Sequence, residues 1–261
     1  METLSATDRT TRPLLGALRP EWQRMSEGLS IAKIHPASLS WELDPVLQID
    51  WFRMSRRFFP PHPHAGFSAV TLMLPNSAGG FINRDSLGDA SAIPPGAMHW
   101  TEAARGMMHE EVPQIEGLEC HGLQIFVNLP ARFKLAAPAV YHVEREQLQP
   151  VVLGGAKVYC YVGDFAGLRR GAVAPRTTVA LWTIALEAHA PLALPLPPDW
   201  NLSLLVTEGA IVVDGQTYPE GSVLGFGHGD LVRIEPGATP AGAVVLAGPA
   251  LREPLAVSGP S

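Results

Sequence analysis

The chain has few cysteines, few charges and no basic surplus, and each shortage removes a class of protein. Two cysteines in 261 residues, Cys120 and Cys160, cannot build a disulfide framework, and both sit in apolar, strand-like text where a buried free thiol is expected. Charged residues make up only 17% of the chain against 46% hydrophobic ones, a balance that excludes disorder and favours a compact core. With 19 basic against 25 acidic residues the formal charge is −6, and the only local basic clusters are Arg53, Arg56, Arg57 and Arg169, Arg170. No electrostatic footprint for a phosphate backbone exists, so direct nucleic-acid binding is not expected. Long apolar runs are also missing. The N-terminal "METLSATDRTTRPLLGALRPEWQRM" holds no apolar core of signal-peptide length, and the stretch Val179 to Pro198 is broken by Glu187, His189 and several prolines. These features predict a cytoplasmic protein in a reducing compartment, without membrane contact.

Helical periodicity is scarce as well: only Pro20 to Glu27 and Arg145 to Gln149 offer short helical stretches. Gly and Pro, 25 of each, instead punctuate short alternating or wholly apolar runs at fairly even spacing, which is how sandwiches and barrels are written. Strands are expected at Leu29 to Ile34, Gly66 to Leu74, Met107 to Val112, His121 to Asn128, Lys157 to Asp164, Thr178 to Glu187, Asn201 to Thr207, Ala210 to Val213, Leu231 to Glu235 and Gly242 to Ala247. A hairpin turn is expected at Asp214-Gly215. The layout of the second half, strand, Gly turn, hairpin, Gly turn and strand, repeats loosely in the first, with a Pro-rich join near residues 130 to 150. The halves look like variations on one small barrel.

Against this background the histidines stand out. His62 and His64 are two apart, as are His109 and Glu111, and two residues is the period of a strand, so each pair points to one face of a sheet. Pro63 between the first two lacks a backbone donor and places that strand at an edge or a strand start. The neighbouring Glu110 should point away. Three imidazoles and one carboxylate form an N/O donor set that suits iron, manganese, nickel, copper or zinc and disfavours calcium. Four protein ligands leave positions open on an octahedral ion, and open positions permit chemistry.

The run "DPVLQIDWF…FPPHPHAGFSAVTLML…RDSLGD…IPPGAMHWTEAARGMMHEEVP…HGLQIFVNLPARFKLAAPAVYH" resembles the pirin family of bicupins, and the likeness continues more weakly to the C-terminus. The resemblance implies an all-β fold of two tandem cupin barrels: residues 1–140 as a metal-binding N-terminal cupin, and residues 141–261 as a C-terminal cupin without metal. It implies one metal per chain, iron (Fe2+) above all, held by His62, His64, His109 and Glu111. It implies either a dioxygenase that opens flavonols such as quercetin, with Glu111 as the catalytic base, or a redox-sensing regulator that binds a partner enzyme or transcription factor. A small-molecule substrate belongs to the first reading and a protein partner to the second. His189 and His228 have no His-x-His neighbour and are expected to be structural.

The chain departs from the family pattern at the edge of the site. It has His64-Ala65-Gly66-Phe67-Ser68 where many members have His-Arg-Gly-Phe-Glu, Asn83 where they have histidine, and Ala103-Ala104-Arg105-Gly106 where they have Ala-Gly-Arg-Gly. Around the ligands, His99, Trp100, Met107, Met108, His121, Gln124 and Phe126 lie in flanking strands. His121 and Gln124 are the polar ones whose facing matters, Trp100 and Phe126 read as core, and Arg105 is placed to tie the turn before His109.

Overall fold

The computed structural model describes residues 10–254, so the outermost residues of both terminal stretches considered above lie outside it. Among the described residues there is no α-helix, only three single-turn 3-10 helices and 22 strands. No helix is long and apolar enough to cross a membrane.

The strands form two pairs of antiparallel sheets of the same size, seven strands facing four, which are the two tandem cupin barrels. In the first barrel the large sheet runs Ala139–Val143, Met98–Glu102, Phe67–Met73, Cys120–Asn128, Val46–Met54, Leu29–Ile34 and Trp22–Ser26. Its small sheet runs His62–His64, Met107–Pro113, Phe81–Asp85 and Ala92–Ile93. In the second barrel the large sheet runs Leu14–Leu18, Val223–Phe226, Asn201–Glu208, Ala241–Gly248, Ala180–Leu186, Ala156–Val162 and Val151–Leu153. The small sheet there runs Leu192–Pro195, Leu231–Pro236, Ala210–Val213 and Gln216–Pro219. The strand Leu14–Leu18 thus pairs with Val223–Phe226 of the second barrel although it precedes every strand of the first. Asp214 and Gly215, both at positive φ, close the expected two-residue hairpin between Val213 and Gln216.

The two large sheets lie back to back. Ile34, Trp51, Leu72, Trp100, Leu123 and Ile125 of the first sheet pack on Tyr161, Leu181, Leu205, Val223, Val244 and Leu246 of the second in one apolar cluster. The opposite face of the first sheet, with Leu29, Ile31, Phe52, Met54 and Met73, lines the interior of the first barrel. Both faces of these strands are buried, which is why Ser68 to Leu74 is mostly apolar and does not alternate, with only Ser68 and Thr71 as polar members. The interior of the second barrel is filled by apolar side chains, among them Trp182, Leu202, Leu204, Phe226 and Ile234.

One secondary-structure expectation is overturned. Pro20 to Glu27 carries an edge strand, Trp22–Ser26, not a helix. It pairs on one side only, with Leu29–Ile34, and its nearly complete exposure hides the period-two signal. Trp22 holds it in place, its ring centroid 6.1 Å from that of Trp51 in an edge-on arrangement and the Arg53 guanidinium over it at 5.1 Å. The other short helical stretch forms a single 3-10 turn, Arg145–Gln147, with a reciprocal Glu144 and Gln147 capping box.

Candidate metal centre

The small sheet of the first barrel brings the two pairs together. The strand Met107–Pro113 lies between His62–His64 and Phe81–Asp85, and its register sets His109 opposite His62 on one side and opposite Asp85 on the other. His62–His64 has no second partner, so Pro63 sits on the edge that its missing N–H requires. The rings of His62, His64 and His109 form a near-equilateral triangle, with centroids 4.7, 4.8 and 4.9 Å apart. One nitrogen of each lies within 4.8 Å of the others.

Second partners orient the rings. The Nδ1 of His62 is 2.9 Å from the carbonyl of Pro60, and that of His109 is 3.3 Å from Oδ1 of Asn83. Both oxygens accept, so both Nδ1 atoms carry the proton and each Nε2 keeps a free lone pair. His64 is held by the rings of Phe67 and Phe126, at 5.2 and 6.2 Å. Burial, reinforced by neighbouring imidazoles, pushes His64 down to about 4 and His109 down to about 3. His64 and His109 are therefore neutral near pH 7, the form a cation needs. Three imidazoles that each bring a nitrogen within 4.8 Å of the others fit a transition-metal ion.

Glu111 lines the same cavity but is not part of the histidine triangle. Its Oε2 accepts from the Thr71 hydroxyl at 2.5 Å. That hydroxyl has a single proton, so Gln124 presents its amide nitrogen, donating to Thr71 Oγ1 at 3.0 Å and to Glu111 Oε2 at 3.1 Å. Burial outweighs the Thr71 bond and raises the Glu111 carboxyl to about 7. Glu110 faces the other way, as strand alternation requires, and is bound by Arg57 at 2.5 Å and Arg84 at 3.1 Å.

The cavity has a volume of about 140 Å³. The histidines, Glu111, Gln124 and Asp50 form its polar part, and Leu29, Ile31, Phe52, Met54, Phe81 and Phe126 its apolar walls. Phe59 is the exposed member of the lining, 44% accessible, and marks the way in.

The flanking residues divide. Gln124 and Phe126 face the cavity, so Phe126 is a wall and not core as its sequence suggested. His121, three residues from Gln124, faces the opposite side and accepts from Trp51 Nε1 at 2.7 Å. Trp100 is core, Met107 is buried, Met108 is exposed, and His99 belongs to a separate polar cluster. The Arg105 side chain is exposed, and its backbone amide, donating to the Ala136 carbonyl at 3.2 Å, makes the tie. His189 and His228 are exposed loop residues. Asp50 and Thr71 are not evident from sequence because neither has a histidine, cysteine or carboxylate two residues away. The cross-strand register, Gln124 opposite Asp50 on one side and Thr71 on the other, is what groups them.

Two tandem cupin barrels with a three-histidine cluster in the first define a bicupin with one candidate metal centre among the histidines of its first barrel. The Pirin family profile matches residues 19–127 and that of the Pirin C-terminal cupin domain matches residues 181–261. A pirin-like protein of Caulobacter vibrioides is 32% identical over 257 residues, covering 95% of this chain and 91% of that one. A candidate quercetin 2,3-dioxygenase of Pseudomonas aeruginosa is 33% identical over 249 residues, covering 89% and 85%. The chain belongs to the pirin family. Among solved structures, a quercetin 2,3-dioxygenase from Acinetobacter baumannii superposes with a TM-score of 0.84 at 23% identity, covering 96% of this chain and 91% of that one. A bacterial pirin from Escherichia coli in complex with nickel(II) gives 0.72 at 15%, covering 92% and 100%. At these identities the structures speak for the fold.

Proposed function

We propose that this chain is a pirin-type, iron-dependent dioxygenase that acts on a flavonol-like small molecule, with His62, His64, His109 and Glu111 as the ligands. The observation that carries the reading is the pairing, in one largely apolar cavity, of three clustered imidazoles with a buried carboxylate. The quercetin dioxygenase name carried by a relative supports the choice of substrate class. The metal chemistry belongs to the first barrel, residues 1–140 in the sequence-based division, although its large sheet runs on to Val143 and Leu14–Leu18 joins the second barrel. The second, residues 141–261, serves as its apolar support. Two buried free thiols, pushed up to about 11 and about 12 by burial, suit a reducing cytoplasm.

Bound iron would supply open positions for adjacent hydroxyl and keto oxygens and one-electron chemistry toward dioxygen. The chain supplies the remainder. Glu111, the buried carboxylate of the cavity, takes the hydroxyl proton. Thr71 and Gln124 fix the direction of its Oε2. Phe52, Phe81 and Phe126 exclude water and offer ring faces to the substrate. A cavity of about 140 Å³ accepts roughly one aromatic ring, since an engineered cavity of about 150 Å³ binds benzene. The rest of a larger substrate would lie at the mouth beside Phe59.

The test uses protein purified without chelators, loaded with iron and mixed anaerobically with quercetin. The absorption spectrum should change, and admitting oxygen should consume substrate, with both effects lost in His62→Ala. Iron that turns ferric while the flavonol stays intact would transfer the protein to the redox-regulator reading. A spectrum unmoved by any flavonol would end the enzyme reading.

A further inference from the structure

Behind His109 lies a second polar cluster that the proposed reaction does not use. Asp85 ends the strand Phe81–Asp85, Asp89 follows the exposed turn at 86–88, and His99 lies within Met98–Glu102. One ligand atom of each lies within 4.8 Å of the others. His99 is completely buried, yet its Nε2 has no hydrogen-bond partner. The nearest carboxylate oxygen, Asp89 Oδ2, is 4.0 Å away, beyond hydrogen-bond reach. Oδ2 of Asp85 is likewise buried without a donor.

Neither tautomer of His99 resolves this. Its Nδ1 is 3.3 Å from Nδ1 of His142, so one of the two must donate. If His142 donates, His99 carries a buried N–H with no acceptor. If His99 donates, a bare Nε2 lone pair confronts two carboxylates. A second proton would not relieve the conflict, because it would place a charge on a completely buried ring with no carboxylate oxygen within hydrogen-bond reach. Nor does a basic side chain, because among the described residues neither aspartate pairs with lysine or arginine, and Arg84 is engaged by Glu110 on the outer face. The Asp89 carboxylate accepts from Ser91 Oγ at 2.7 Å, from the Ser91 amide at 3.0 Å and from the Asn83 amide at 2.9 Å, all neutral donors that leave its charge uncompensated. A buried nitrogen lone pair beside two carboxylates, with solvent access through the partly exposed Asp89, is what a small divalent cation satisfies.

We propose that Asp85, Asp89 and His99 form a second divalent-cation site, of one imidazole and two carboxylates, suited to Mn(II), Zn(II) or a similar first-row ion. It is independent of the dioxygenase reading but connected to the histidine triangle through Asn83. The Asn83 amide donates to Asp89 Oδ2 at 2.9 Å, and its Oδ1 faces His109 Nδ1 at 3.3 Å. An ion on Asp89 would thus bear on the residue that orients His109.

The full chain, stripped with a chelator and titrated with Mn(II) while free ion is followed by electron paramagnetic resonance, separates the sites. His62→Ala/His64→Ala should retain one bound ion, and adding Asp89→Asn and His99→Gln should abolish it. Retention of that ion after all four changes, or its absence from the His62→Ala/His64→Ala chain, overturns the proposal. Should that variant not fold, Asp89→Asn/His99→Gln alone should lower the count from two to one. An unchanged count overturns the site. Failure of the histidine triangle reads differently: His62→Ala/His64→Ala would then leave the count of the unaltered chain unchanged.

Discussion

Glu110 and Glu111 are adjacent acids with opposite surroundings, and the difference predicts opposite phenotypes. Glu111 is enclosed in the cavity with Thr71 and Gln124, whereas Glu110 sits between two half-exposed arginines. Glu111→Gln should lower turnover by about 100-fold or more, the usual worth of a positioned base. Glu110→Ala should leave turnover and metal content unchanged and cost at most about 1 kcal/mol in denaturant unfolding. Equal losses from the two would contradict the strand phase. His121 makes a second residue-scale prediction, on pH. Its Nε2 accepts the Trp51 indole proton, a bond that requires the unprotonated nitrogen, and burial with the Arg53 charge lowers it from 6.5 to about 4. In the window between those values the unfolded chain binds more protons than the folded one. Stability should therefore be complete above pH 6.5 and fall as pH drops towards 4. Unfolding curves across that range should show the slope, and His121→Gln should flatten part of it. An unaltered slope would refute the assignment.

At the scale of the element, the fold was legible wherever strand periodicity is simple. All ten stretches expected as strands are strands, because each is long enough and bounded by Gly, Pro or Asn turns. The strand Val46–Met54 was missed because its buried and half-buried positions do not alternate strictly. Leu14–Leu18 alternates but joins the far barrel, a pairing that local sequence does not encode. The site divides in the same way. The His62/His64 and His109/Glu111 pairs carry a period of two that can be counted, whereas Asp50, Thr71 and the relay through Asn83 exist only as cross-strand neighbours. Close strand packing also explains Gly122, opposite Phe52 and Met73. A Cβ there would lie 2.6 Å from Phe52 Cζ and 2.8 Å from the Leu72 carbonyl. Since that carbonyl belongs to the sheet ladder, Gly122→Ala should cost about 1–3 kcal/mol. It should also press Phe52 into the cavity and weaken flavonol binding, which titration of the metal-loaded protein would detect.

At the scale of the molecule, the barrels share one apolar core, and the polar groups caught at that join determine what a substitution there costs. Trp41, from the first half of the chain, donates its indole N–H to Ser203 of the second barrel at 2.9 Å. Glu102, completely buried, is held by the Arg176 guanidinium and by the Arg176 backbone amide at 2.9 Å. Arg176 is the partly exposed partner, with 31% of its side chain accessible, so the charge left stranded by its removal is the buried one. Arg176→Met should therefore destabilise by about 3–5 kcal/mol, the cost of an unpaired interior carboxylate. Adding Glu102→Gln removes that charge and keeps an oxygen for the backbone amide, so the double variant should recover most of the loss. Because the carboxylate lies where the two large sheets meet, the loss should appear in one cooperative transition covering both barrels. Tryptophan fluorescence offers a probe in each half, Trp51 and Trp182. If Arg176→Met shifted the Trp182 signal and left that of Trp51 in place, the barrels would be separate folding units, and the second could not be the support on which the metal-binding sheet is held.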